Sequence, residues 1–427
     1  ARVLKASCPR LERVLFASQR LGENLLDTLI IDALRTPRGR GKASGSLATV
    51  TPVDLVCHPL RALMSRHELP VDAVGEVILG CVEPVGEQGG DIARIAALMA
   101  GMGEGVPGMQ INRFCSSGLD AVNLGAAKIG SGQSDLVVGG GVESMSRVAM
   151  GASGGSWATD PKIASALHFI PQGISADLIA TKYGYERSRC DEVALRSQAL
   201  AAQAVREGRF ERSLIAVTDA NGLDVLAADE HPRPTTTADD LAALRPSFAK
   251  LGQQYGFDDV ARLRYPEVER IEHVHHAGNS SGVVDGAAAV LLASVKAAQQ
   301  HDLAVRGRIV SCASVGSEPC IMLTAPGEAA RQALGRAGLT TSDIDVWEIN
   351  EAFAAVVLRF CDELNLTLDQ VNGCGGAIAL GHPLGATGAI LLGTALDELE
   401  RTGGRYACIA LCVGAGQGTA TVIERCS

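Results

Sequence analysis

Two distant stretches of this chain run through the same succession of elements, and that repetition restricts the fold more than any other feature. "CSSGLDAVNLGAAKIGSGQSDLVVGGG" (115–141) passes from a polar turn into a small-residue helix, then into a strand that ends in glycines. "GHPLGATGAILLGTALDELERTGGRYACIALCVGAG" (381–416) does the same. Ahead of each lies an acidic segment that turns apolar, "DAVGEVILGCV" (72–82) and "DIDVWEINEAF" (343–353). Strands alternating with helices predict a parallel sheet covered on both faces. A repeat this long predicts two copies of one α/β unit, not a solenoid of short repeats.

The first copy begins with a buried strand in "LLDTLIIDALRTP". It continues through an amphipathic helix in "TPVDLVCHPLRALMSRH" capped by Thr51, a strand in "VGEVILGCV" and a helix in "DIARIAALMAGM". A helix follows over 117–130, then the strand "DLVVGGG". The second copy has strands in "GRIVSCASVG" and "DIDVWEIN", helices in "EAARQALGRAGL" and "EAFAAVVLRFCDEL", and "YACIALCVGAGQG" as the closing strand. "GNSSGVVDGAAA" reads as a polar turn, with Ser280, Ser281 and Asp285, leading into a small-residue helix. The expected organisation is an N-terminal extension at 1–24, a first half at 25–150 completed by part of 276–300, an inserted loop domain at 151–275 and a second half at 301–427. The insertion is more charged, and such excursions commonly carry specificity on a rigid scaffold.

Charge and composition exclude some functions. The net charge is −10 with no basic block, which argues against a nucleic-acid partner. No run of 18 apolar residues offers a transmembrane segment. The twelve cysteines occur in a long chain with no C-x-x-C pair, so neither a disulfide scaffold nor a zinc site is expected and a reducing compartment is. The opening "ARVLKASCPRLERVLFASQRLG" is basic. It reads either as a remnant of a mitochondrial transit segment, placing the protein in the matrix, or as an ordinary extension of a cytoplasmic bacterial protein.

Three turns carry the residues best suited to chemistry. In "NRFCSSGLDAV", Cys115 precedes a helix, where the dipole and free N–H groups favour a thiolate; the alternative is an inert buried thiol. In "GHPLGATGA", His382 holds the position corresponding to Cys115 in the other copy and has the right chemistry to move a thiol proton. In "CVGAGQG", Cys412 ends a strand among glycines whose N–H groups can approach a ligand, or which simply close the sheet. Asn350 of "NEAF" ends another strand.

With Cys115, Asn350, His382 and Cys412 in this order, the sequence resembles the thiolase family. "NRFCSSGLDAV", "GGVESMSR", "GNSSGVVDGAAA", "NEAFA", "NGCGGAIALGHPLGATGA" and "LCVGAGQG" carry the resemblance, which spans residues 25–424. It implies an α/β fold of two similar five-stranded halves in α/β/α/β/α layers plus a loop domain. It implies coenzyme A as a substrate, no other cofactor and no metal. It also implies roles: Cys115 as the acylated nucleophile, His382 as its activator, and Cys412 as the acid/base at the acetyl-CoA methyl carbon. Asn350 would hold the water that, with His382, binds the enolate oxygen; the N–H groups of Cys115 and Gly414 would form a second oxyanion hole. Asn279, Ser281 and Gly282 would lie at the pantetheine of coenzyme A. "CSSGL" and the long segment 247–275 look more like degradative 3-ketoacyl-CoA thiolases, and like the thiolase subunit of fatty-acid oxidation complexes, than like biosynthetic acetoacetyl-CoA thiolases. Thiolytic cleavage of 3-ketoacyl-CoA in fatty-acid β-oxidation is therefore expected, by a homodimer or homotetramer with a hydratase/dehydrogenase subunit as candidate partner. The alternatives are the biosynthetic reaction and a non-catalytic acyl-CoA-binding subunit. "NGCGGA" departs from the commoner "NVNGGA", and Cys374 is expected to be inert packing.

Overall fold

The computed structural model describes residues 28–426, so the expected N-terminal extension lies outside the described residues. The strands are β1 (Leu29–Arg35), β2 (Gly39–Arg40), β3 (Glu76–Gly80), β4 (Gly108–Ile111), β5 (Leu136–Ser144), β6 (Val217–Thr218), β7 (Asp224–Leu226), β8 (Val284–Ala293), β9 (Gly307–Gly316), β10 (Val346–Ile349), β11 (Tyr406–Val413) and β12 (Gln417–Arg425). The main sheet runs β10-β11-β12-β9-β1-β8-β5-β3-β4, with β2 paired to β8. β6 and β7 pair with each other inside the 151–275 segment.

Side-chain alternation along these strands builds five layers. In the first half Ile31, Val77, Val138 and Ala289 face the outer helices Pro52–Arg66 and Ile92–Met99. Their strand neighbours Ile30, Ile78, Val137 and Ala288 face inward, onto the helices Ser117–Gly130 and Thr387–Thr402. Ile309, Ile409, Leu411 and Ile423 of the second half cover the same two helices from the other side. Ala410, Ala420 and Val422 face the helices Pro326–Ala337 and Ala354–Leu364 and part of the inserted segment. The two helices of the central layer are those that follow Cys115 and His382, so duplication brings both turns to the middle of the molecule.

The structure corrects four expectations. The sheet is mixed: β3·β4, β3·β5 and β10·β11 are parallel, the other pairs antiparallel. Parallel pairing needs a crossover, whereas β11 and β12 are joined by a tight turn with positive φ at Ala415 and Gly416. β12 is therefore the closing strand, one later than expected. The small-residue segment after "GNSSG" is strand β8, buried between β1 and β5, not a helix. An apolar run covered on both faces has no period that separates the two. Finally, the second half has four strands in the ladder, and the fifth position shrinks to the single bridge Trp347↔Val371. There the Asn372 side chain does a strand's work, accepting from Ile349 N–H (2.8 Å) and donating to Ile349 C=O (2.9 Å).

Candidate active site

Cys115 sits on the turn between β4 and the helix Ser117–Gly130, and its two following serines explain that turn. Ser117 Oγ accepts from Arg113 N–H (2.8 Å) and donates to Phe114 C=O (2.6 Å), holding Phe114 at φ +45°. Ser116 Oγ donates to Asp120 and accepts from Thr419 Oγ1 (3.3 Å), which ties the turn to β12. The glycine that follows is demanded by close approach: a Cβ on Gly118 would lie 2.6 Å from Gly385 C=O, in the turn that carries His382. Reciprocally, a Cβ on Gly388 would lie 2.4 Å from Leu119 N.

The structure brings four expected residues into one buried place. Cys115 is 6% exposed, His382 3%, Cys412 1% and Asn350 0%. Cys115 shares a small apolar cluster with Val82, Met145 and Leu384, two residues beyond His382. Cys412, next to last in β11, lies close enough to Cys115 to feel its charge. The Gly414 N–H has no acceptor among the described residues and the Cys115 N–H faces only its own sulfur, so both can turn to an oxyanion. The Phe114 ring packs over Gly414, 3.0 Å from where a Cβ would stand.

His382 is held in one tautomer. Thr387 Oγ1 donates to Pro383 C=O (3.0 Å), so it must accept from His382 Nδ1–H (2.6 Å). Nε2 then carries the lone pair and accepts from Asn350 Nδ2 (3.3 Å). Burial, with the Arg38 guanidinium adding to it, lowers the His382 pKa from 6.5 to about 3. The imidazole is neutral, a base and not a cation, at any physiological pH.

The thiols depart from the sequence expectation. Burial raises the Cys115 pKa from 9.0 to about 12, and the Glu143 carboxylate adds to the rise. Three pH units correspond to ~4 kcal/mol, while a helix N-terminus contributes ~0.3–1 kcal/mol. Desolvation wins, and Cys115 rests as a thiol. Burial also pushes Cys412 upward, with Cys115 as a second cause, so it too rests protonated.

The coenzyme-site candidates divide. Ser281 is half-buried, bonded through its N–H to Ala352 C=O (2.9 Å), and its hydroxyl has no partner among the described residues. Asn279 is fully buried, with its amide spent on Asp191 (2.9 Å), Val274 C=O (3.1 Å) and His276 N–H (2.8 Å), which leaves nothing for a ligand. Gly282 donates to Ala377 C=O (3.2 Å) and accepts from His382 N–H (2.9 Å), so it positions the histidine. Cys374 is buried beside Ala201, Phe210 and Leu380, with Arg209 Nη1 at 3.9 Å from its sulfur.

Glu143 was not singled out by the sequence, although it stands in "GGVESMSR". On β5, its Oε2 accepts from Val82 N–H and Gly385 N–H (both 2.9 Å), and its Oε1 from Glu83 N–H (3.1 Å) and Gln88 Nε2 (2.8 Å). One buried carboxylate thus joins the two halves at the His382 turn. A buried acid after three glycines was the available signal. Thr387, five residues beyond His382, was missed for want of any period linking a turn residue to the next helix.

The inserted segment reaches this site through aromatic rings. Phe114, beside Cys115, contacts Trp157 (5.7 Å between centroids), Trp157 contacts Phe169 (4.8 Å), and Phe169 contacts Phe257 (6.3 Å). Phe248 packs on Phe353 (5.9 Å), three residues beyond Asn350. With eight Phe and two Trp in the whole chain, six of these rings gather here.

Known proteins match this chain nearly end to end. The family model of the thiolase N-terminal domain matches residues 28–255, and that of the thiolase C-terminal domain matches 303–425. A beta-ketoadipyl-CoA thiolase of Acinetobacter baylyi is 40% identical over 93% of this chain and 98% of its own. A steroid 3-ketoacyl-CoA thiolase of Mycobacterium tuberculosis is 39% identical over 95% of each. The crystal structure of the Bacillus anthracis acetyl-CoA acetyltransferase superposes with a TM-score of 0.82 at 35% identity, covering 95% of this chain and 100% of that one.

Proposed function

The chain belongs to the thiolase family of acyltransferases, and from that premise we propose that it cleaves a 3-ketoacyl-CoA with coenzyme A, giving acetyl-CoA and an acyl-CoA shorter by two carbons. The observation that carries this reading is the gathering of two resting thiols, a neutral imidazole with its lone pair turned inward, and two unused N–H groups in one buried place.

The steps follow from those groups. His382 Nε2 takes the Cys115 proton, and the sulfur attacks the C3 carbonyl. The C2–C3 bond breaks, its electron pair passing to C2 as the enolate of acetyl-CoA, with Asn350 and His382 at the enolate oxygen. Cys412 gives its proton to C2 and acetyl-CoA leaves. Coenzyme A thiol, giving its proton to Cys412, attacks the Cys115 thioester, whose oxygen takes charge against the N–H groups of Cys115 and Gly414. The tetrahedral intermediate collapses, and Cys115 recovers its proton. Such a hole is worth ~3–4 kcal/mol per donor. Ser281, with its unengaged hydroxyl, is the side chain proposed for the pantetheine. No group beyond the two substrates is needed to balance the steps.

The acyl portion is proposed to be apolar, a long chain or a ring system, because the Phe114–Trp157–Phe169–Phe257 row leads away from the nucleophile. Fatty-acid oxidation is one source of such substrates. The relatives above are named for ketoadipyl and steroid substrates, and the structural neighbour for acetyl transfer. A kinetic panel separates these: 3-ketoacyl-CoA from C4 to C16, 3-ketoadipyl-CoA, and a 3-ketoacyl-CoA carrying a ring. The expected order has the apolar long or ring-bearing substrates first; highest kcat/KM on C4 or on the dicarboxylate removes the apolar proposal. Mass spectrometry after acyl-CoA treatment is expected to find the acyl group on Cys115. In Cys412→Ser, labelling should persist while carbon–carbon cleavage stops. A stable label on Cys412 with Cys115 free overturns the assignment.

A further inference from the structure

We infer that Glu351, which follows Asn350 in the chain, is a positioning residue that holds the Asn350–His382 pair in register through a clamp closed by Asn372 and Ser197. Glu351 is buried, and its carboxylate is engaged at both oxygens. Oε1 accepts from Asn372 Nδ2 (3.0 Å). Oε2 accepts from Ser197 Oγ (2.6 Å) and from Ile378 N–H (3.1 Å). Ser197 Oγ in turn accepts from Gly376 N–H (3.0 Å).

Each partner reaches one member of the catalytic pair. Asn372 grips both backbone groups of Ile349, the residue before Asn350. Asn350 therefore stands between one residue clamped by Asn372 and one clamped by its own carboxylate. Ile378 and Gly376 belong to the short turn that ends at Gly381, immediately before His382. Gly376 must be glycine, since a Cβ there would lie 2.2 Å from the Glu351 carboxyl carbon. Ser197 lies on the helix Arg187–Arg206 of the inserted segment, so that segment helps to set the geometry of the two halves. The Asn350 Nδ2 to His382 Nε2 distance of 3.3 Å is thus decided by two loops that share one carboxylate.

Isosteric substitution breaks the clamp electronically. In Glu351→Gln the new NH₂ faces either Asn372 Nδ2 or the Ile378 N–H. Asn372 cannot turn over, because its oxygen and nitrogen are both committed to Ile349. Donor meets donor in either orientation.

The inference rests on the proposed thiolytic chemistry, and the experiment separates the two. Wild type, Glu351→Gln and Ser197→Ala are compared in two partial reactions: acylation of Cys115 by acetyl-CoA, read by mass, and exchange of the acetyl-CoA methyl protons in D₂O, read by NMR. Acylation uses His382 but not the Asn350 amide; exchange passes through the enolate that Asn350 and His382 hold together. Misplacement of about 1 Å costs about a hundredfold in rate. Glu351→Gln is expected to lose exchange by about that factor and acylation, which needs only His382 of the pair, by about tenfold less. Ser197→Ala, which keeps the Asn372 contact, should show the same split at smaller size, and it serves if Glu351→Gln fails to fold. Equal loss in both reactions, or none in either, for a folded variant overturns the clamp. A wild-type protein that shows neither acylation nor exchange overturns the thiolytic reading instead, and the inference with it.

Discussion

Replacing Glu143 by glutamine changes one atom and tests how the two halves are joined. The carboxylate accepts four N–H donors, two at each oxygen: Val82 and Gly385 at Oε2, Glu83 and Gln88 Nε2 at Oε1. Glutamine keeps one acceptor oxygen, so its NH₂ opposes two donors in either orientation. The Gln88 side chain cannot turn over to relieve this, because its oxygen accepts from Ser144 N–H (2.6 Å) and its nitrogen also donates to Glu83 C=O (2.9 Å). Each buried donor left without an acceptor costs ~1–3 kcal/mol, giving about 2–6 kcal/mol for the pair. That is a large part of the 5–15 kcal/mol typical of a folded protein. Urea unfolding followed by tryptophan fluorescence measures it. With a slope of ~3 kcal/mol per M, the midpoint should fall by about 0.7–2 M. Iodoacetamide labelling of Cys115 in the folded variant should also quicken, as the Gly385 turn loosens over the thiol. A midpoint and labelling rate equal to wild type would refute the claim that this carboxylate joins the halves.

Three further outcomes are expected. His382 has its folded pKa depressed from 6.5 to about 3, so the stability it contributes is full above pH 6.5 and is lost as pH falls toward 3. Between pH 7.5 and pH 5 wild type should lose about 2 kcal/mol more than His382→Gln in urea unfolding, and parallel pH dependences would refute the neutral buried imidazole. Gly118→Ala places a Cβ 2.6 Å from a backbone oxygen that no side-chain motion can clear. It should cost ~1–3 kcal/mol and slow Cys115 acylation, both absent if the central helices can part freely. Trp157→Ala removes the ring between Phe114 and Phe169 and should lower kcat/KM for C12 3-ketoacyl-CoA well below its effect on C4; an unchanged ratio removes the aromatic row from substrate binding.

The duplication, the layered α/β class and the turns that carry Cys115, Asn350, His382 and Cys412 were legible in the order of residues, because glycine, proline and helix-start residues are read locally. Thr51 caps its helix as expected, its side chain accepting from Asp54 N–H (3.2 Å). Packing of the layers fixed three further things. It made 284–293 a strand, because a run of Gly, Ala, Val and Leu takes its form from the neighbours that cover both faces. It reversed the Cys115 expectation, because the dipole is a property of the helix that follows the cysteine, whereas desolvation depends on Val82, Met145 and Leu384, all remote in sequence. And it gave Glu143, Glu351 and Thr387 their work, since a carboxylate or hydroxyl in a motif states only that it can accept or donate. The partners that fix its meaning, Gly385 for Glu143 and Ser197 for Glu351, stand 242 and 154 residues away and meet it only when the layers close.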